Sequence, residues 1–194
     1  MDIILKNVRV AFVKVFNAVE FKAGDGRPRY SITALVEPRS ENDKAIRRAI
    51  EQEGLAAHAA KWDRVHAAMK GQKNQYCYLS GDTKEYDGFA GMMALSAHRR
   101  AADGRPIVID RNKSPLTGAD GKPYSGCYCN VKVSIYVQKG ENPGVRASFS
   151  VVQFVKDGDA FSGSTPNADE FEDLTDGTDD DFGSDLVGDD DIPF

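Results

Sequence analysis

Gly126-Cys127-Tyr128-Cys129-Asn130-Val131-Lys132-Val133-Ser134-Ile135-Tyr136-Val137-Gln138 places apolar side chains at every second position from Cys127 to Val137. That period is the one a half-buried β-strand imposes, because successive side chains point to opposite faces. It predicts a strand over 126–138 with Cys127 and Cys129 on one face. Working outward, Val145 to Lys156 has the same character, as do Pro106 to Asp110, Phe89 to His98, Gln75 to Leu79 and Tyr30 to Val36. Near the start, Val8, Val10 and Phe12 alternate with Arg9, Ala11 and Val13. Gly, Pro and Asp clusters separate most of these runs, and Gly24-Asp25-Gly26 with Pro28 marks a turn between the first two.

One segment breaks the β pattern. Ser40 can cap a helix reaching about Glu53, with Asp43 supporting its first turn, and Leu55 to Lys70 continues as a second helical pattern up to Gly71. The 194 residues suffice for one domain and a tail. The expected boundaries are 1–161 for the domain and 162–194 for the tail. A mainly β chain with inserted helices fits an OB-fold, a five-stranded Greek-key barrel, and a generic α+β sandwich is the alternative.

Charge divides the chain more sharply than its total of -5 suggests. Residues 1–156 hold all 25 Lys and Arg against 16 Asp and Glu, a net +9, whereas residues 157–194 hold 14 acids and no base. A basic body gains free energy by displacing counterions from phosphates. From Ser162 onward, self-repulsion and the lack of apolar periodicity predict a disordered acidic tail. It ends in Asp189-Asp190-Asp191-Ile192-Pro193-Phe194, three carboxylates before an apolar tip, which suits a partner with a basic rim around an apolar pocket.

That ending resembles the tip of bacterial single-stranded-DNA-binding proteins, which use it to recruit replication and repair enzymes. Tyr124-Ser125-Gly126-Cys127-Tyr128-Cys129-Asn130-Val131 in turn resembles a family of bacteriophage proteins whose members include a single-stranded-DNA-binding protein with the OB-fold. This second likeness spans roughly Ile4 to Phe161. Together they imply a phage single-stranded-DNA-binding protein: a barrel that binds and an acidic tail that recruits.

Sequence-tolerant binding of single strands needs aromatic faces for stacking and cations along the backbone. Tyr76 and Tyr78, spaced to share one strand face, lie close in sequence to Lys70, Lys73 and Lys84. Tyr124 and Tyr128 lie near Arg111, Lys113, Lys122 and Lys132. These form the expected stacking platform, with Tyr86 and Phe89 next. Arg27 and Arg29 around Pro28, and Arg99, Arg100 and Arg105 around another turn, are expected to meet phosphates. Phe12, Phe149 and Phe154 are assigned to the core, and Trp62 to packing within the helical segment. Arg47 and Arg48 have Glu41, Asp43 and Glu51 at helical spacings and are expected to pair locally.

Signals for catalysis are weak. Cys77, Cys127 and Cys129 lie in apolar or aromatic runs and are expected to be reduced, unpaired thiols; no second closely spaced Cys or His pair accompanies them to make a zinc site. No phosphate-cradling Gly-x-x-x-x-Gly-Lys motif and no spaced acidic set for magnesium occurs. No cofactor or metal is expected. No apolar run approaches the length of a membrane span, and the expected location is the cytoplasm, that of the host cell for a phage protein.

The expected function is therefore a nonenzymatic protein that coats single-stranded DNA in phage replication, recombination or repair. Its expected partners are single-stranded DNA and, through the tip, host or phage replication and repair proteins. The alternatives are a recombination mediator that anneals strands and binds duplex, and an acidic adaptor whose basic body is incidental.

Overall fold

The computed structural model describes residues 1–20, 24, 26–140 and 142–161. The expected tail disorder and the docking tip Asp189 to Phe194 lie outside the described residues. Within them the chain forms seven strands and one helical excursion. The strands are β1 (Asp2–Val19), β2 (Arg29–Val36), β3 (Tyr78–Ser80), β4 (Met93–Arg100), β5 (Ile107–Ile109), β6 (Tyr128–Gln138) and β7 (Gly144–Lys156). Between β2 and β3 run helices α1 (Glu41–His58) and α2 (Trp62–Met69), joined by one 3-10 turn.

All seven strands share one sheet, in the order β3-β4-β2-β1-β6-β7-β5. Every neighbouring pair is antiparallel except β5 and β7. The sheet is not closed by a ladder. It curls until Tyr76, just before β3, makes a single parallel bridge to Val145 at the start of β7. The mainly β architecture with inserted helices is thus as expected. The expected barrel has five strands and the sheet has seven, each of which overlaps a run whose composition predicts a strand; β3 and β5 are only three residues long.

β6 shows how sequence sets the faces. Cys129, Val131, Val133 and Ile135 point into the core, while Tyr128, Asn130, Lys132, Ser134 and Tyr136 point outward. Across from them, Val145, Ala147, Phe149, Val152 and Phe154 supply the inner face of β7, and Leu5, Val8, Val10 and Val15 that of β1. Cys127 and Cys129 do share a buried face, with their sulfurs 3.7 Å apart. β1 is much longer than its expected span because three register shifts, one against β6 and two against β2, interrupt its alternation. Asn7 and Phe12, both with positive φ (49° and 50°), sit at the register shifts against β6 and β2.

The helical segment begins as expected: the Ser40 side chain accepts from the Asp43 backbone N–H at 3.2 Å. Ile46, Ala49 and Ile50 then bury on the core. α1 extends to His58 and breaks at Ala59, whose φ is 46°. Trp62 is fully buried with its ring stacked on His66 (4.7 Å) and His58 (6.1 Å), while its Nε1 donates to Glu51 at 2.9 Å. Gly54 makes room for it, since a Cβ there would fall 2.0 Å from the indole.

Asp43 ties this segment to the sheet. Its buried carboxylate accepts from Tyr78 Oη at 2.7 Å, Arg39 N at 2.8 Å and Arg47 Nε at 2.8 Å. Burial opposes its ionisation, but these three donors outweigh burial and hold its carboxyl below the usual range. Arg47 therefore pairs locally, as its spacing predicted. No helix among the described residues is long and apolar enough to cross a membrane.

Candidate nucleic-acid interface

The second β1 bulge creates the most distinctive surface on the molecule. A bulky residue with positive φ is strained, by about 1–2 kcal/mol. Phe12 adopts that conformation at 50° and stands 43% exposed, contrary to its expected place in the core. The bulge takes it out of the alternation that led to that expectation. Its ring meets Tyr86 edge-on at 5.1 Å and Phe89 at 5.9 Å, and Tyr86 lies 5.5 Å from Phe89. Phe89 is the buried floor of this trio, packed with Ala11, Leu35 and Ala94 on the outer face of β1, β2 and β4. Tyr86 is 54% exposed.

A cation completes the cluster. Lys84 Nζ lies 5.5 Å from the centre of the Phe89 ring and 6.0 Å from that of Phe12. Burial first, and the nearby charge of Lys73 second, lower its pKa. The rings open onto a cleft of about 470 Å³ lined also by Lys14, Tyr124 and Phe161. Exposed aromatic faces beside ammonium groups can stack bases and meet phosphates together.

The far wall of the cleft is made by residues 157–161 lying back along 124–126. Arg9 clamps the two, donating from Nε to Gly126 O at 3.0 Å and from Nη2 to Asp159 O at 2.7 Å, with its guanidinium 4.4 Å from the Phe161 ring centre. Tyr124 Oη lies 2.9 Å from Gly158 O, and Phe161 N donates to Ser125 O at 3.1 Å. The approach is close enough that a Cβ on Gly126, where φ is +110°, would fall 2.1 Å from Asp159 O. Lys122 hydrogen-bonds Asp157 at 3.0 Å and, as the main cause, lowers the Asp157 pKa.

The expected platform is therefore redistributed. Tyr76 and Tyr78 are buried and do not offer their faces: Tyr76 Oη pairs with His66 Nε2 at 2.9 Å, and Tyr78 Oη donates to Asp43. A tyrosine ring packs in a core whenever its hydroxyl finds a partner, and both do. Phe89 is likewise buried. Tyr86 and Tyr124 line the cleft. Tyr128, on the outer face of β6, lies beneath Lys156, whose Nζ is 4.5 Å from its ring centre.

The expected phosphate contacts scatter. Lys73 and Lys84 stand by the aromatic cluster, and Lys70, exposed, caps α2. Lys122 reaches 4.7 Å from the Phe154 ring, and Arg105 5.0 Å from that of Phe16. Arg27 is exposed before β2, and Arg29 faces Arg100 across the β2–β4 ladder. Arg99 donates to Gly104 O, and Arg100 makes a two-pronged pair with Asp103. Arg111 and Lys113 are exposed in the turn after β5, while Lys132 sits 3.4 Å from Asp2, away from Tyr128.

Comparison with known proteins gives the family of the chain. A family profile described as Enterobacter phage Enc34, ssDNA-binding protein, matches residues 1–183. Protein p50 of Acyrthosiphon pisum secondary endosymbiont phage 1 is 40% identical over 183 residues, covering 90% of this chain and 95% of its own. Among solved structures, the single-stranded DNA-binding protein from bacteriophage Enc34 in complex with ssDNA superposes with a TM-score of 0.67 at 22% identity, over 82% of this chain and 88% of that one. The single-stranded DNA binding protein gp2.5 of bacteriophage T7 gives 0.56 at 13% identity, over 93% and 98%. These two share the fold. The chain belongs to the Enterobacter phage Enc34 single-stranded-DNA-binding protein family.

Proposed function

We propose that the protein coats single-stranded DNA with little regard to sequence during phage DNA replication, recombination or repair, acting as a nonenzymatic binding protein in the host cytoplasm. Family membership supports the ligand class. The observation that carries the location is the exposed Phe12–Tyr86 pair beside Lys84 and Lys14, held out by a strained bulge. Bases stack on the rings, and the lysines follow the phosphates. Tyr124 and Tyr128 extend the path toward Lys122 and Lys156, with Arg27, Arg29 and Lys73 as further phosphate contacts. The tip Asp189 to Phe194 docks replication or repair proteins of phage or host.

A fluorescence titration with oligo-dT tests the location. Phe12→Ala or Tyr86→Ala should each weaken binding by about 1–3 kcal/mol, with the melting temperature little changed by Tyr86→Ala. Tyr76→Phe, in the core, should leave affinity as it is. Wild-type affinity in both alanine variants would move the site elsewhere.

A further inference from the structure

A second cleft, of about 500 Å³, shares no residue with the aromatic one. It lies where the outer face of β4 meets that of the β6–β7 hairpin and is lined by His98, Arg100, Asp103, Tyr136, Gln138 and Ser148. Its volume falls in the range of roughly 300–1,000 Å³ that suits small ligands. Tyr136 is 40% exposed, although β6 is otherwise well covered at that end. Arg146 sits directly across the ladder from Tyr136, so both side chains project from the same face.

Cations dominate the surroundings. Arg29 is in register with Arg100, and the charges of Arg29 and Arg146 both reach His98. Burial, followed by those two charges, lowers the His98 pKa to about 4, leaving the imidazole neutral near pH 7 as a hydrogen-bonding group. Asp103 is the acid in the lining and is engaged by Arg100 at 2.7 Å. An exposed ring flanked by guanidinium groups, with Gln and Ser as hydrogen-bonding side chains, matches the chemistry of one nucleotide: a base face, a phosphate and polar base edges.

The register links the two clefts. Lys14, on the rim of the aromatic cleft, pairs with Ser31, and Ser31 pairs with His98 of the second cleft. Residues directly opposite one another share a face, and two strand spacings amount to about 10 Å. The two clefts thus lie about two strand spacings apart on one face, on either side of the buried Ser31 of β2. Resting on the single-stranded-DNA reading above, we propose that the β4/β6–β7 cleft is a second nucleotide subsite, in which a base stacks on Tyr136 and the flanking phosphates meet Arg146 and Arg100.

Oligomer length separates the two sites, because the span of one OB-fold runs from about 4 to 16 nucleotides. In anisotropy titrations of the full chain, Tyr136→Ala and Arg146→Gln should each weaken (dT)16 binding by about fivefold or more and leave (dT)4 binding unchanged. Tyr136→Phe, which keeps the ring, should retain wild-type affinity for (dT)16. If Tyr136→Ala binds (dT)16 as wild type while Tyr86→Ala is weakened, or if it weakens both lengths equally, the second subsite is refuted and the single-stranded-DNA reading stands. If the wild-type protein binds neither oligomer, that reading falls and the subsite with it.

Discussion

Raising monovalent salt from about 50 to 200 mM should weaken oligo-dT binding by roughly 10²–10³-fold. The magnitude follows from about six phosphate contacts, each adding about 0.7 to the log-log slope on a single strand. Lys14 lines the aromatic cleft, Lys84 lies over its Phe12 and Phe89 rings and feels the charge of Lys73, and Arg100 lines the second cleft, where the charges of Arg29 and Arg146 reach His98, which makes six without invoking residues elsewhere. Titrations at four or more salt concentrations give the slope directly. A slope near zero would mean that the net charge of +9 on residues 1–156 is incidental, as an acidic adaptor protein requires.

The second large effect is on stability. Trp62→Ala should cost about 3–5 kcal/mol, the range for emptying a fully buried aromatic site. For a domain of this size, that lowers the melting temperature by roughly 10 °C. The indole holds three parts together: it stacks on His66 and His58, its N–H satisfies Glu51, and its ring fills the space Gly54 leaves. None of those residues lines either cleft, so DNA affinity measured well below the melting temperature should stay close to wild type. Thermal melts with and without saturating oligo-dT separate the two effects.

How much of this was legible in the sequence depended on how regular each element is. β6 has long, uninterrupted alternation, and β7 keeps its own except for one extra residue near Ser150, so both could be read almost to their ends. Ser40 announced the first helix because its hydroxyl does the chemistry of a cap. β1 was truncated, since a bulge inserts one residue and inverts the faces that follow. The same bulge explains why Phe12, reasonable as a core residue by alternation, became the most informative exposed ring.

The tyrosines failed for a different reason. Tyr76 and Tyr78 looked like a stacking pair, yet their hydroxyls found His66 and Asp43, both on the helical segment, and no local pattern shows a contact made across the chain. Tyr86 was legible as an aromatic among lysines, but its pairing with Phe12 brings together a strand and a loop far apart in the chain. Tyr136 was missed because it reads as an ordinary outward position in a strand. Only the curl of the sheet places it against β4.

The central claim is that single-stranded DNA lies in the Phe12–Tyr86 cleft. Photocrosslinking the full chain to oligo-dT carrying 5-iodo-deoxyuridine, followed by peptide mapping, tests it most directly. Crosslinks should concentrate on the peptides containing Phe12, Tyr86 and Tyr124, and a duplex competitor should reduce them less than unlabelled oligo-dT does. Crosslinks confined to α1 and α2, with those three peptides unmodified, would contradict the account.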